Sequence, residues 1–232
     1  MTFHLACDYD ETLASGGQVG APAREALARL KAGGSKILLV TGRELEDLVQ
    51  IFPDIPLFDL VIAENGAVLH RPAGGDTRTL TGPPLPVFLD KLRLRGVEPL
   101  RAGRAVVATT QKHYAAVWQT IAEMNLPLEI ILNRDSLMVL PLGVDKGSGF
   151  KAALKELQIP AQSVVGIGDA ENDSPFLELC GVSVAVANAL PAIREAADVV
   201  TEQPSGAGVV EVISKLMTGE LLPGQNRDLA RR

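Results

Sequence analysis

Four short apolar runs in this chain each break off into a cluster of polar residues, and that repeated pattern constrains the fold more than any other feature. Phe3 to Cys7 runs into Asp8-Tyr9-Asp10-Glu11-Thr12-Leu13, and Ile37 to Val40 into Thr41-Gly42-Arg43. Leu60 to Ala63 ends in Glu64-Asn65-Gly66, and Val164 to Ile167 in Gly168-Asp169-Ala170-Glu171-Asn172-Asp173. An apolar run of this length bounded by a polar break reads as a strand buried on both faces. Between the first two, Pro22 opens a stretch carrying Leu27 and Leu30 that stops at Gly33-Gly34, the punctuation of a helix. Strand, helix, strand, helix, strand from Phe3 to Ala63 implies right-handed crossovers and a parallel sheet. In open sheets of this kind, ligands bind at the carboxyl ends of the strands, where these polar clusters fall.

The cluster after the first run carries the sharpest chemistry. Asp8 and Asp10 are two residues apart, and the chain must curl just after Asp8, so both side chains can address one site. Two carboxylates about 4 Å apart repel by about 4 kcal/mol at an effective dielectric of about 20. Such a pair needs a proton or a cation to persist, and a divalent metal answers that need. Lys146 opens an apolar-periodic helix (Phe150, Leu154, Leu157) and brings a point positive charge to a helix start, where the dipole disfavours it. In chain order the clusters therefore read carboxylates, hydroxyl, ammonium, carboxylates.

That ordered set resembles the haloacid dehalogenase superfamily of phosphohydrolases, and within it the Cof-type subgroup, whose cap domain is inserted between the second and third motifs. The likeness runs from Leu5 to about Met217. It implies that Asp8 attacks phosphorus and that Asp10 serves as general acid and base. It further implies that Thr41, with Gly42 beside it, and Lys146 bind phosphate. Asp8, Asp169, Asp173 and the backbone carbonyl of Asp10 would hold Mg2+, with Asn172 orienting them. The family more often has glycine where this chain has Glu11, whose side chain adds negative charge near the site. The reaction implied is hydrolysis of a small phosphorylated metabolite, a sugar phosphate or phosphorylated hydroxy acid, through an aspartyl phosphate. A phosphomutase or phosphotransferase using the same intermediate, or a catalytically silent module that binds a phosphorylated ligand, remains open as an alternative.

The rest of the chain sets the organisation. After a hairpin-like segment, Ala67 to Leu80, the Pro-rich run Gly82 to Pro86 reads as a junction. The pattern then changes to a helix (about Val87 to Leu94), a strand (Ala105 to Thr109) and a helix (His113 to Met124). Strands Leu128 to Leu132 and Leu137 to Leu140 follow, around the turn Asn133-Arg134-Asp135-Ser136. The expectation is an α/β fold: a discontinuous Rossmann-like parallel-sheet core, residues 1–81 and 143–232, carrying a smaller α+β cap, residues 82–142. Trp118 and Met124 are expected to pack on the apolar face of the insert's second helix. Arg43, Asn65, Lys112 and Arg134 are the candidates for holding the rest of the substrate. The core's return comprises a helix through Leu177, strands Val182 to Val186 and Val199-Val200, a helix from Pro191 and a last helix near Val209 to Met217. Residues after Gly219 are expected to form a frayed tail.

Composition excludes several classes. A 47% hydrophobic content supplies a sizeable core, and no window is long enough for a membrane-spanning helix. A net charge of −6 argues against a nucleic-acid groove but permits a local basic pocket. Cys7 and Cys180 sit in or beside apolar segments and read as reduced, unrelated thiols. With no secretory signal pattern, the expected location is the cytoplasm. His4, His70 and His113 are scattered, without triad partners, and no Cys/His cluster suggests zinc. No segment matches the phosphate-binding loop of nucleoside triphosphatases, and Glu171 stands at the third glycine position of a dinucleotide fingerprint begun by Gly166-Ile167-Gly168.

Overall fold

The structure, a computed structural model, describes residues 3–221. The first strand, β1 (His4–Asp8), lies at the centre of an eight-stranded sheet. On one side come β2 (Ile37–Val40), β3 (Leu60–Ala63), β4 (Val68–Arg71) and β5 (Asp76–Thr79). On the other come β10 (Val164–Gly168), β11 (Val182–Ala185) and β12 (Val199–Val200). From β12 through β3 every pairing is parallel, whereas β4 and β5 form an antiparallel hairpin on β3. Strands β1, β2, β3, β10 and β11 are buried along almost their whole length, as parallel strands covered on both faces must be. Around this sheet run α1 (Ala21–Ala32), α2 (Leu45–Ile51), α5 (Lys146–Leu157), α6 (Ser174–Leu177), α7 (Pro191–Ala196) and α8 (Ser205–Thr218).

A second sheet, entirely antiparallel, is built from the intervening segment in the order β6 (Arg101–Ala102), β7 (Val107–Thr110), β9 (Ser136–Pro141) and β8 (Leu128–Asn133). Helices α3 (Pro86–Leu94) and α4 (Tyr114–Glu123) cover one of its faces. The strand period of two sorts β9 cleanly: Leu137 and Val139 join Phe88, Leu92 and Val117 under the helices. Met138 and Leu140 point the other way and meet Ala67 of the larger sheet's hairpin. The fold is thus an α/β core with a parallel sheet carrying a smaller α+β unit.

Several elements differ from expectation for physical reasons. The strand expected from Ala105 begins at Val107, because the amides of Ala105 and Val106 are bound to the Glu64 side chain instead of to a strand. The last helix starts at Ser205, four residues before the apolar periodicity that announces it, across the small residues Ser205-Gly206-Ala207-Gly208. Trp118 is not a packing residue: it is 58% exposed, because α4 buries Val117 and Thr120, with Ile121 and Met124 partly covered on the same stripe. The tail expected after Gly219 lies, from residue 222 on, outside the described residues. Among the described residues no helix is long and apolar enough to cross a membrane.

One close approach fixes the geometry of the site. The chain after β3 turns through Gly66 at φ +107°, where an added Cβ would stand 1.9 Å from the Asp145 carbonyl oxygen. Only glycine lets the turn touch the start of α5 in this way. Asp145 then caps that helix reciprocally with Ser148, accepting from the Ser148 N–H at 2.7 Å while its own N–H donates to Ser148 Oγ at 2.9 Å. Lys146, the first residue of α5, is thereby aimed at the carboxyl ends of β1 and β10.

Candidate active site

Asp8 ends β1, and Lys146 Nζ donates to its Oδ1 at 2.6 Å. The same ammonium donates to Asp173 Oδ1, also at 2.6 Å. Asp173 is held in turn by the main chain, its Oδ2 accepting from the N–H groups of Asp169 at 2.9 Å and Ala170 at 3.0 Å. Thr12 donates to Asp169 Oδ1 at 2.7 Å, and Arg134, from the turn between β8 and β9, donates to Asp169 Oδ2. All four charged groups Asp8, Lys146, Asp169 and Asp173 are buried.

Their electrostatics follow from that burial. Loss of solvent pushes the Asp8 carboxyl well above the ordinary carboxylate range; Lys146 opposes the shift, while Asp173 and Asp169 add to it. Burial would depress Lys146, but Asp173 and Asp8 outweigh it and raise the ammonium above the usual lysine range. Asp169 is raised by burial despite the opposing Arg134 bond. Three buried carboxylates share one buried lysine and the partly exposed Arg134, so the cluster keeps an excess of negative charge that favours a further cation. Oxygen atoms of Asp8, Asp169 and Asp173 all lie within 4.8 Å of one another. A set of carboxylate oxygens at that spacing fits a hard divalent cation and not a soft one.

Asp10 stands outside this trio. Both of its oxygens accept from Arg43, from Nε at 2.8 Å and Nη2 at 2.7 Å. Arg43 also donates to Asp47 Oδ2 at 2.6 Å and lies over the Tyr9 ring, 5.5 Å from its centroid. Asp8 and Asp10 nevertheless line one cavity of about 360 Å3. Gly42, Arg43, Glu44 and Asp47 complete its core side, and Arg101, Asn133, Arg134 and Met138 of the smaller sheet are among those that face them.

The remaining sequence candidates fall in different places. Thr41 is buried behind the cavity, its Oγ1 accepting from the Arg43 N–H at 3.1 Å. Asn172 donates from Nδ2 to Asn65 Oδ1 at 2.9 Å, and both asparagines are buried outside the cavity lining. Lys112 is exposed, in a short turn before α4, and does not line the cavity. Arg101 and Thr12 were not singled out by sequence reasoning. Thr12 lies inside the opening motif, which was a usable signal, whereas nothing local marks Arg101. Glu11 adopts φ +57°, the left-handed region where glycine is at ease. Its side chain accepts from the Gly16 N–H at 3.2 Å, and it does not line the cavity.

Comparison with known proteins agrees with this geometry. A family model described as haloacid dehalogenase-like hydrolase matches residues 5–80 and 102–213. The chain belongs to the haloacid dehalogenase-like hydrolases. A phosphoglycolate phosphatase of Methanothermobacter thermautotrophicus is 31% identical over 222 residues, covering 92% of this chain and 98% of that protein. Phosphoglycolate phosphatase 2 of Saccharolobus solfataricus is 38% identical over 132 residues, 57% of this chain and 54% of that protein. A solved haloacid dehalogenase-like hydrolase from Bacteroides thetaiotaomicron superposes with a TM-score of 0.80 at 19% identity, covering 93% of this chain and all of that one, a likeness of fold. This haloacid dehalogenase-like chain is a phosphoric monoester hydrolase of the Cof type.

Proposed function

We propose that the chain is a magnesium-dependent phosphatase acting on a small phosphorylated hydroxy acid, with 2-phosphoglycolate as the simplest case. One observation carries this reading: a single cavity of about 360 Å3 sets the Asp8 carboxylate opposite three guanidinium groups, those of Arg43, Arg101 and Arg134, with Asp10, Glu44 and Asp47 also in its lining. A substrate bearing a phosphate at one end and a carboxylate at the other matches that pairing, since guanidinium groups bind carboxylates through paired hydrogen bonds. Two relatives that bear the name phosphoglycolate phosphatase support the same substrate class. The residues of 82–142 then serve as the cap that closes over the leaving group, on a core formed by 1–81 and 143–232.

Asp8 attacks phosphorus through a carboxylate oxygen as the ester P–O bond breaks, leaving an aspartyl phosphate and an alkoxide. Asp10 hands the alkoxide a proton, then takes one from the water that attacks phosphorus and breaks the bond to Asp8. For Asp10 to do this, Arg43 must first let go of it, and a substrate carboxylate offers that guanidinium another partner. Lys146 offsets negative charge on Asp8 and the phosphoryl oxygens. Asp8, Asp169 and Asp173, with the Asp10 main-chain carbonyl, would hold magnesium, which screens phosphate from the attacking carboxylate. The buried residues Cys7 and Cys180 suit the reducing cytoplasm.

The test is a screen of phosphorylated metabolites with magnesium, reading free phosphate. Preferred turnover of 2-phosphoglycolate supports the reading. Phosphate appearing on a second sugar position, and not in solution, overturns it in favour of phosphoryl transfer.

A further inference from the structure

Glu64 is a fully buried carboxylate that the chemistry at Asp8 does not use. It follows β3 and opens a run of three left-handed residues, Glu64, Asn65 and Gly66, at φ +50°, +53° and +107°. Glycine adopts that region freely and asparagine readily, but a residue such as glutamate pays about 1–2 kcal/mol there. What offsets the strain is on the other sheet. Glu64 Oε1 accepts from the Arg104 N–H at 2.9 Å, and Oε2 accepts from the N–H groups of Ala105 at 2.7 Å and Val106 at 3.0 Å. Successive main-chain amides of this kind form an anion-binding concavity, and here the anion is the protein's own side chain. A Cβ on Gly103 would lie 2.7 Å from Glu64 Oε2, so the turn between β6 and β7 comes this close only because residue 103 has no side chain.

The main chain of Glu64 ties it to the catalytic loop, since its N–H donates to the Arg43 carbonyl at 2.9 Å. One residue thus joins Arg43 on the core to the turn whose first strand carries Arg101. Other contacts also cross this joint, where Ala105, Val106, Met138 and Leu140 pack in one buried apolar cluster with Ala67. Arg104 pairs with Glu46 and Arg101 with Glu44 at the surface, where ion pairs contribute little.

We propose that Glu64 is a positioning residue that sets the cap's β6–β7 turn, and with it Arg101, in register over Arg43 and Asp8. What Arg101 recognises rests on the substrate class proposed above; the joint itself does not. Glu64 touches no reacting atom and acts through the placement of the turn.

Glu64→Gln keeps the shape of the side chain but turns an NH2 group toward amides that need an acceptor. The full-length protein is examined by backbone hydrogen exchange without substrate, and by kinetics with 2-phosphoglycolate and p-nitrophenyl phosphate. Exchange at Arg104, Ala105 and Val106 should quicken by about 10-fold or more, and KM for 2-phosphoglycolate should rise by a similar factor. Turnover of the aryl phosphate, which does not engage Arg101, should be unchanged. Gly103→Ala, which leaves Glu64 intact and displaces the turn, should give the same split and covers the case in which Glu64→Gln fails to fold. Unchanged exchange at 104–106 in the folded variants overturns the joint. Faster exchange with an unchanged KM overturns the positioning role. Failure of the substrate reading shows elsewhere, in a wild-type protein that does not turn over 2-phosphoglycolate.

Discussion

Arg43 closes on both carboxylate oxygens of Asp10, at 2.7 and 2.8 Å, and so holds it apart from Asp8, whose partner is Lys146. The two acids of one motif are separated by two different cations, and each can be tested alone. Asp8→Asn should abolish phosphate release from every substrate while circular dichroism stays native. Asp10→Asn should lower kcat about 10²- to 10⁴-fold for an alkyl phosphate, the usual span for general acid–base catalysis. With p-nitrophenyl phosphate the loss in the first chemical step should be smaller, because that leaving group departs without a proton. Equal loss in that step for both esters, measured by burst kinetics, would count against Asp10 as the acid.

Lys146 bonds two buried carboxylates at once, so Lys146→Met leaves both without a counter-charge. Breaking a buried pair in this way destabilises by about 3–5 kcal/mol. Urea unfolding should show that loss in metal-free buffer, and added magnesium should recover part of it by binding the folded state alone. In the wild type a chelator should remove activity and magnesium restore it. Full activity in buffer of verified metal content near zero would contradict the assignment of Asp8, Asp169 and Asp173.

Arg101 and Arg134 line the cavity and Lys112 does not. Loss of one charge-assisted hydrogen bond of about 1.5–3 kcal/mol corresponds to roughly 10- to 150-fold in binding. Arg101→Ala and Arg134→Ala should each raise KM for a phosphorylated hydroxy acid by that order, with Lys112→Ala matching wild type. A KM that moves with Lys112 and not with the arginines would place recognition on the outer face of the cap.

Glu11 sits in the left-handed region and gains one side-chain bond from the Gly16 N–H. Glu11→Ala keeps the strain and loses the bond, whereas Glu11→Gly relieves the strain. The glycine variant should therefore be the more stable of the two by about 1 kcal/mol, read as a shift in the urea midpoint. Equal midpoints would mean that the turn relaxes when the side chain is removed.

The centre of the site was legible because it is built from strand ends. A strand buried on both faces must be apolar and must turn polar where it leaves the sheet, so Asp8, Thr41, Asp169 and Asp173 announce themselves in order. Lys146 was legible by contrast, as a charge at the wrong end of a helix. Glu64 was visible as a strand-end residue, yet its contacts depend on three main-chain amides some forty positions away that no side-chain pattern records. Arg101 belongs to a strand of two residues, too short to show a period. Trp118 was misplaced for a related reason: in a helix as apolar as α4, periodicity alone does not say which stripe faces inward.

The central position of β1 has a consequence for how the chain is made. Its neighbour β10 lies some 160 residues downstream, beyond the whole of the inserted segment, and pairs His4 with Val164. During synthesis the first strand must wait with one edge unpaired while residues 82–142, whose sheet and helices are local in sequence, can already assemble. Such long-range closure is slow, and exposed strand edges invite association with other chains. The smaller sheet can therefore form before β10 is made, whereas the carboxylate cluster, which needs Asp169 and Asp173 from the end of β10, closes only after it.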